Sequence, residues 1–108
     1  MKNTRILAIG LLLGVLQGMA QPPSAKLLAL AHQADSCYMA GYYAAASALY
    51  GEALMCQGAG SNNFYNAACC AAKAGETDEA FKRLRTMLER FPEWYSRRID
   101  ADADLQSL

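Results

Sequence analysis

"LLALAHQADSCYMAGYYAAASALYGEALMCQGAG" (residues 27–60), laid without a gap over "SNNFYNAACCAAKAGETDEAFKRLRTMLERFPEW" (61–94), decides how the chain is read. Ala34 falls on Ala68, Ala40 on Ala74, Gly41 on Gly75, Ala46 on Ala80 and Leu54 on Leu88. Tyr50 over Leu84 and Ala53 over Met87 keep the apolar class. Five identities in 34 positions are few. Their placement carries the signal, because self-similarity at this period marks a stacked repeat.

Each unit reads as helix, turn, helix. Ser24, after Pro22 and Pro23, is an N-cap for a first helix starting near Ala25, and the Ser61–Asn63 cluster is expected to cap its counterpart, a helix through 62–74. Gly41 and Gly75 end the first helices, since a glycine adopts the left-handed closing conformation without a Cβ clash. The last helix is expected to open at Thr77, Asp78 and Glu79, a capping hydroxyl followed by two acids at the positive helix end. Arg90 in its last turn and Pro92 just beyond complete the stop signal. Ala34 with Ala46, and Ala68 with Ala80, put a methyl group where two antiparallel helices cross closely. Tyr50, Leu54, Leu84, Met87 and Leu88 form apolar stripes at helical spacing on the second helices.

These residues resemble the tetratricopeptide repeat. "GYYAAASALYGEAL" (41–54) carries most of that family's turn and second helix, with Gly41, Tyr43, Ala46, Tyr50, Ala53 and Leu54 at the matching steps. "AGETDEAFKRLRTMLERFP" (74–92) repeats it through Gly75, Ala80, Leu84, Leu88 and Pro92. The tail "EWYSRRIDADADLQSL" is similar to the close of exported bacterial members, an aromatic followed by Asp102, Asp104, Leu105 and Leu108. The first helices depart from the family pattern: Leu30 stands where a large aromatic is usual, and Cys37 and Ala71 stand where a tyrosine is. Thr77 replaces the turn aromatic. The resemblance implies an all-α fold: two helical hairpins (27–60 and 61–94) of α-solenoid type and a C-terminal capping segment (95–108). Trp94, Tyr95, Ile99, Leu105 and Leu108 are expected to cover the open end, unless a partner or a second copy does.

It also implies an inner groove lined by the first helices. By register its residues are Leu28, Ala31, Asp35, Tyr38 and Met39, then Asn62, Tyr65, Asn66, Cys69, Ala72 and Lys73. Family members that clamp a peptide carboxylate use lysine and asparagine where this chain has Ala31 and Asp35, so such a clamp is not expected. The groove suits an extended or helical peptide segment, with Tyr38 and Tyr65 as anchors or as packing within the array.

The first twenty residues stand apart. A basic start (Met1 to Arg5), the apolar run "ILAIGLLLGVL" (6–16) and small residues Gly18 and Ala20 make a secretory signal peptide cut after Ala20. Eleven apolar residues are too few to cross ~30 Å of hydrocarbon as a helix, and no cysteine lies near the cut for lipid attachment. Residues 21–26 are expected as a linker. Export to a bacterial periplasm or beyond follows, with no stable membrane span after cleavage.

The remaining 88 residues carry eight basic and ten acidic groups once Lys2 and Arg5 are removed, a net charge of −2. Basic residues gather at Lys82, Arg83, Arg85, Arg90, Arg97 and Arg98, but neighbouring acids offset them. They read as a solvated helix face, not a nucleic-acid stripe.

Catalytic and metal chemistry find little footing. His32 is the only histidine, and its four-residue spacing to Ser36 is ordinary helix-surface spacing. There is no Cys-x-x-Cys and no histidine pair for zinc, and "DADAD" (100–104) lacks the glycine and closing acid of a calcium loop. No cofactor is expected. Cys69 and Cys70 are adjacent, 3.8 Å apart at Cα across a trans peptide, below the usual disulfide span. On a helix their side chains diverge by about 100°, Cys69 toward the groove and Cys70 toward a neighbouring helix. Free buried cysteine is the favoured reading. If a disulfide forms, Cys37–Cys70 is the pair that the register offers, with Cys56 alone. The chain is thus expected to be a non-enzymatic scaffold binding a protein or peptide segment, or a second copy of itself. The alternative is an envelope redox or metal-handling protein using Cys37, Cys56, Cys69, Cys70 and His32.

Overall fold

The structure, a computed structural model, describes residues 21–96. Residues 1–20, expected as a signal peptide, and the segment from Arg97 to Leu108, with Ile99 and Leu105, lie outside the described residues, as does the side chain of Tyr95. Among the described residues the fold is all-α: α1 (Ala25–Met39), α2 (Tyr43–Ala53), α3 (Ser61–Lys73) and α4 (Thr77–Arg90), then a 3-10 turn over Pro92–Ser96. Each helix packs against the next in sequence, and the 3-10 turn folds back on α4.

The two helix–helix turns are the same turn written twice. At the end of α1, Gly41 has φ +86°; its N–H donates to the Tyr38 carbonyl (3.0 Å), and the Tyr42 N–H donates to that of Cys37 (2.8 Å). At the end of α3, Gly75 has φ +79°, and the N–H groups of Gly75 and Glu76 reach Ala72 (3.1 Å) and Ala71 (2.8 Å). Both are Schellman closures, in which a left-handed glycine lets two carbonyls stranded at a helix end find donors. Every donor and acceptor is displaced by 34 positions. Tyr42 and Glu76, which open α2 and α4, share φ −88° with ψ 71° and 70°.

Other helix ends differ from the expectation. Ser24 does cap α1, its hydroxyl accepting from the Leu27 N–H at 3.1 Å. At α3 the cap position is Gly60, not Ser61–Asn63, which are already helical. The Asn63 side chain instead reaches back to accept from the Gly60 N–H at 2.9 Å, a bond available only from the third helical position. Thr77 is likewise the first helical residue of α4, not its cap, and Glu76 makes no side-chain capping bond. Leu54 lies just past α2 as its C-cap. The segment 21–26 is no free linker: Ala25 and Lys26 belong to α1, and the Ser24 N–H donates to the Gln57 carbonyl (3.2 Å). Pro22 meanwhile sits against Gly58.

Two buried clusters fill the interior. One joins Leu27 and Ala34 of α1, Ala46, Tyr50 and Ala53 of α2, and Ala67 and Cys70 of α3. The other joins Phe64, Ala68, Cys69, Ala71 and Ala72 of α3 to Ala80, Leu84 and Met87 of α4. The four crossing alanines (34, 46, 68 and 80) are each 0% exposed. A methyl group buries little area, so most of the hydrophobic stabilisation falls to Leu27, Tyr50, Phe64, Leu84 and Met87, at roughly 1.5–3 kcal/mol per large side chain. Cys69 and Cys70 enter different clusters, which is the 100° divergence seen from the core side.

Candidate functional site

Three local arrangements place the residues that the sequence singled out. The first spans α1, α2 and α3. Tyr50, 1% exposed, sends its hydroxyl out of the core to donate to Asp35 Oδ1 at 2.6 Å. Burial, reinforced by the Asp35 carboxylate, holds the Tyr50 phenol well above its ordinary range. The neutral hydroxyl is a fixed donor, so Asp35, itself exposed, is tied to the core through it.

The second arrangement is at the turn end. The ring of Tyr38 meets that of Tyr43 edge-on, with centroids 5.4 Å apart, and the Lys73 ammonium lies 5.3 Å from the Tyr43 centroid. Residues from α1, α2 and α3 thereby converge. Beside them Gly41, Tyr42, Tyr43, Ala44, Ala45, Lys73 and Ala74 line a shallow, largely apolar depression of about 460 Å³. Tyr42 in this lining is 67% exposed, and Met39, close by in sequence, is 83% exposed.

The third lies between α3 and the 3-10 turn. Tyr65 stacks on Trp94 at 5.3 Å between centroids. Phe64 tilts against Phe91 at 6.2 Å, and the Arg90 guanidinium sits 5.3 Å over the Phe64 ring. Trp94 therefore packs against the α3–α4 cluster. Tyr65 gives one face to that stack.

The expected groove residues take part in different local contacts. Tyr38, Met39 and Lys73 belong with the turn end, Asp35 with Tyr50, and Tyr65 with Trp94. Leu28, Asn62 and Asn66 are exposed. Cys69, expected to face the groove, is buried at 7% exposure. All four cysteines are free thiols; Cys37 packs against the cluster that contains Cys70. His32 is exposed, and its carbonyl accepts from the Ser36 hydroxyl at 3.1 Å. Among the described residues no three histidine, cysteine or acidic side chains come together as a metal site, and no helix is long and apolar enough to cross a membrane.

The basic face corrects the sequence reading most. Arg83 is not solvated but 7% exposed. Its Nη1 donates to Ser47 Oγ (3.0 Å) and to the Ala67 carbonyl (2.9 Å), Nη2 to the Ser47 carbonyl (3.1 Å) and Nε to Glu79 Oε2 (2.9 Å). Ser47 passes its own proton toward Glu76 Oε1 at 2.6 Å. One guanidinium thus ties α2, α3 and α4 together, and the five-donor fork suits this task where a lysine would not. The signal was in the spacing: positions 80, 83, 84 and 87 form one helical stripe, and only Arg83 among them is charged.

No family model, curated protein or solved structure matches the chain.

Proposed function

We propose that the chain is an exported, non-enzymatic scaffold of tetratricopeptide type that holds a protein or peptide segment on the surface formed by α1 and α3. The observation that carries this reading is the 34-residue register of the two turns, matched in glycine conformation and in every closing hydrogen bond, with the crossing alanines fully buried in both hairpins. A scaffold built by repetition presents the same side of successive hairpins to a partner. Here that side offers Leu28, Asp35, Asn62 and Asn66 to solvent. Asp35 is already oriented by Tyr50, so little side-chain entropy remains to be lost when a partner engages it.

The test is capture by the chain without residues 1–20, immobilised and exposed to envelope proteins. Leu28→Lys and Asn62→Asp, both at exposed positions, are compared with Met55→Gln, 88% exposed in the loop after α2. A partner retained by the wild type and by Met55→Gln, and lost with the first two, supports the proposal. A partner indifferent to Leu28 and Asn62 overturns this choice of face.

A further inference from the structure

The depression at the turn end has a chemical character of its own. Its lining contains one charged side chain, Lys73, and no acid. The only ion pair among the described residues joins Arg83 and Glu79, so the Lys73 ammonium has no carboxylate beside it and rests over the Tyr43 ring. The first turn of α2 lines the same depression through Tyr43, Ala44 and Ala45, and no side chain caps it, so its amide dipoles add the same sign. The lining is otherwise glycine, alanine and tyrosine, and Tyr42 within it and Met39 nearby in sequence expose large apolar side chains.

We infer that this depression is a docking surface for an acidic peptide segment: an apolar side chain seats against Tyr42, Tyr43 and the alanines, and an adjacent Asp or Glu carboxylate pairs with Lys73. The inference rests on the scaffold reading and names a different part of the molecule from the α1–α3 face. Charge complementarity selects the occupant. A neutral peptide leaves the cation facing water at the rim, and a basic one meets it with like charge, which rim charges discriminate against. Lys73 is exposed and in the last turn of α3, so its side chain can swing from the ring to a carboxylate without moving the backbone. The ring it leaves remains open to the partner's apolar group.

A random twelve-residue peptide library, selected against the chain without residues 1–20, tests this directly. The wild type should enrich peptides that place Asp or Glu within two residues of Leu, Ile, Phe or Trp. Lys73→Glu should lose at least tenfold in affinity for those peptides and select basic ones instead, while Lys73→Gln loses about threefold to tenfold. Circular dichroism of each variant checks that the helices are intact. Peptides whose binding is unchanged by Lys73→Glu but abolished by Leu28→Lys or Asn62→Asp would overturn this surface and leave the scaffold reading standing. A library that enriches nothing on the folded wild type would overturn both.

Discussion

The Arg83 guanidinium closes on Ser47 from two directions, Nη1 to the hydroxyl at 3.0 Å and Nη2 to the carbonyl at 3.1 Å, across 36 positions of sequence. Because Ser47 belongs to the first hairpin and Arg83 to the second, this contact fixes how one hairpin sits on the other. An apolar pair could fill the same volume, but it would not specify an angle. Hydrogen bonds from a planar fork do.

Arg83→Ala should destabilise the chain by about 2–4 kcal/mol, toward the lower part of the cost of breaking a buried charged pair because Glu79 is partly solvated. Arg83→Met should cost less than half of that. The two carbonyls that Arg83 serves belong to α2 and α3 and are also within reach of intrahelical N–H donors, so the methionine mainly needs to fill space. Denaturant unfolding of the three proteins at one pH decides it. Equal losses for Ala and Met would show that the hydrogen bonds, not the packing, dominate.

Gly51 is where the same contact constrains a helix interior. A Cβ added there would stand 3.1 Å from Arg83 Nη2, closer than comfortable contact, against a side chain held by several hydrogen bonds. Glycine to alanine inside a helix ordinarily stabilises by about 0.5–1 kcal/mol. In the wild type Gly51→Ala should be neutral or mildly destabilising, and in the Arg83→Met background the usual gain should return. A double-mutant cycle that shows no coupling between the two sites would contradict this.

Much of the architecture was readable because it rests on backbone rules. The positions where φ turns positive, Gly41 and Gly75, and the methyl groups at the crossings follow from steric limits that leave few residue choices. The network was not readable in the same way. Arg83 falls on Leu49 in the 34-residue register, so the repeat itself argues for an apolar residue there, and only the third dimension supplies Ser47 and Ala67 to receive the charge. Asn63 as the partner of Gly60 was hidden for a related reason: several capping residues in a row leave the start of α3 ambiguous by two positions. The ring partners of two expected groove residues, Tyr43 against Tyr38 across the turn and Trp94 against Tyr65, were also not given by the repeat register.

Tyr50 gives a signature at alkaline pH. Its folded phenol ionises above the unfolded value of about 10, because burial and the Asp35 carboxylate disfavour the phenolate. The folded state therefore holds a proton that the unfolded state releases. The stabilisation is complete below the unfolded value and declines as pH rises above it. Tyr50 should stay silent in an ultraviolet titration of the native protein until the helices melt. Tyr50→Phe should remove that group from the titration and lower stability at neutral pH by about 1 kcal/mol, a typical single hydrogen bond. A native protein in which all the tyrosines ionise together near pH 10 would refute the arrangement.

Gly58 should be the least replaceable residue of the loop after α2. Its φ of +87° disfavours any side chain, and a Cβ would collide with the backbone of Pro22 and Pro23. Both terms act on Gly58→Ala, so the loss should exceed the ~1 kcal/mol expected from the backbone conformation alone. The N-terminal segment should also come loose from the loop. Hydrogen exchange at the Ser24 amide, which donates to Gln57, reports on that docking. Destabilisation without faster exchange at Ser24 would mean that the collision with Pro22 is relieved elsewhere.

The cysteines separate the scaffold from its redox alternative by rate as well as number. Cys37 and Cys56 are half-buried, whereas Cys69 and Cys70 are 7% and 3% exposed. A thiol reacts with a disulfide reagent as the accessible thiolate, so the native chain should show two faster thiols and two that react only as fast as the protein opens. In denaturant all four should react together. Isolation without reductant adds the second reading: four titratable thiols agree with the free cysteines seen here. A count of two that rises to four on reduction would mean that one disulfide forms in the isolated protein. Peptide mapping would then test the pair that the register offers, Cys37 with Cys70, which border one buried cluster. A Cys37→Ala variant that still forms the bond would eliminate that pair.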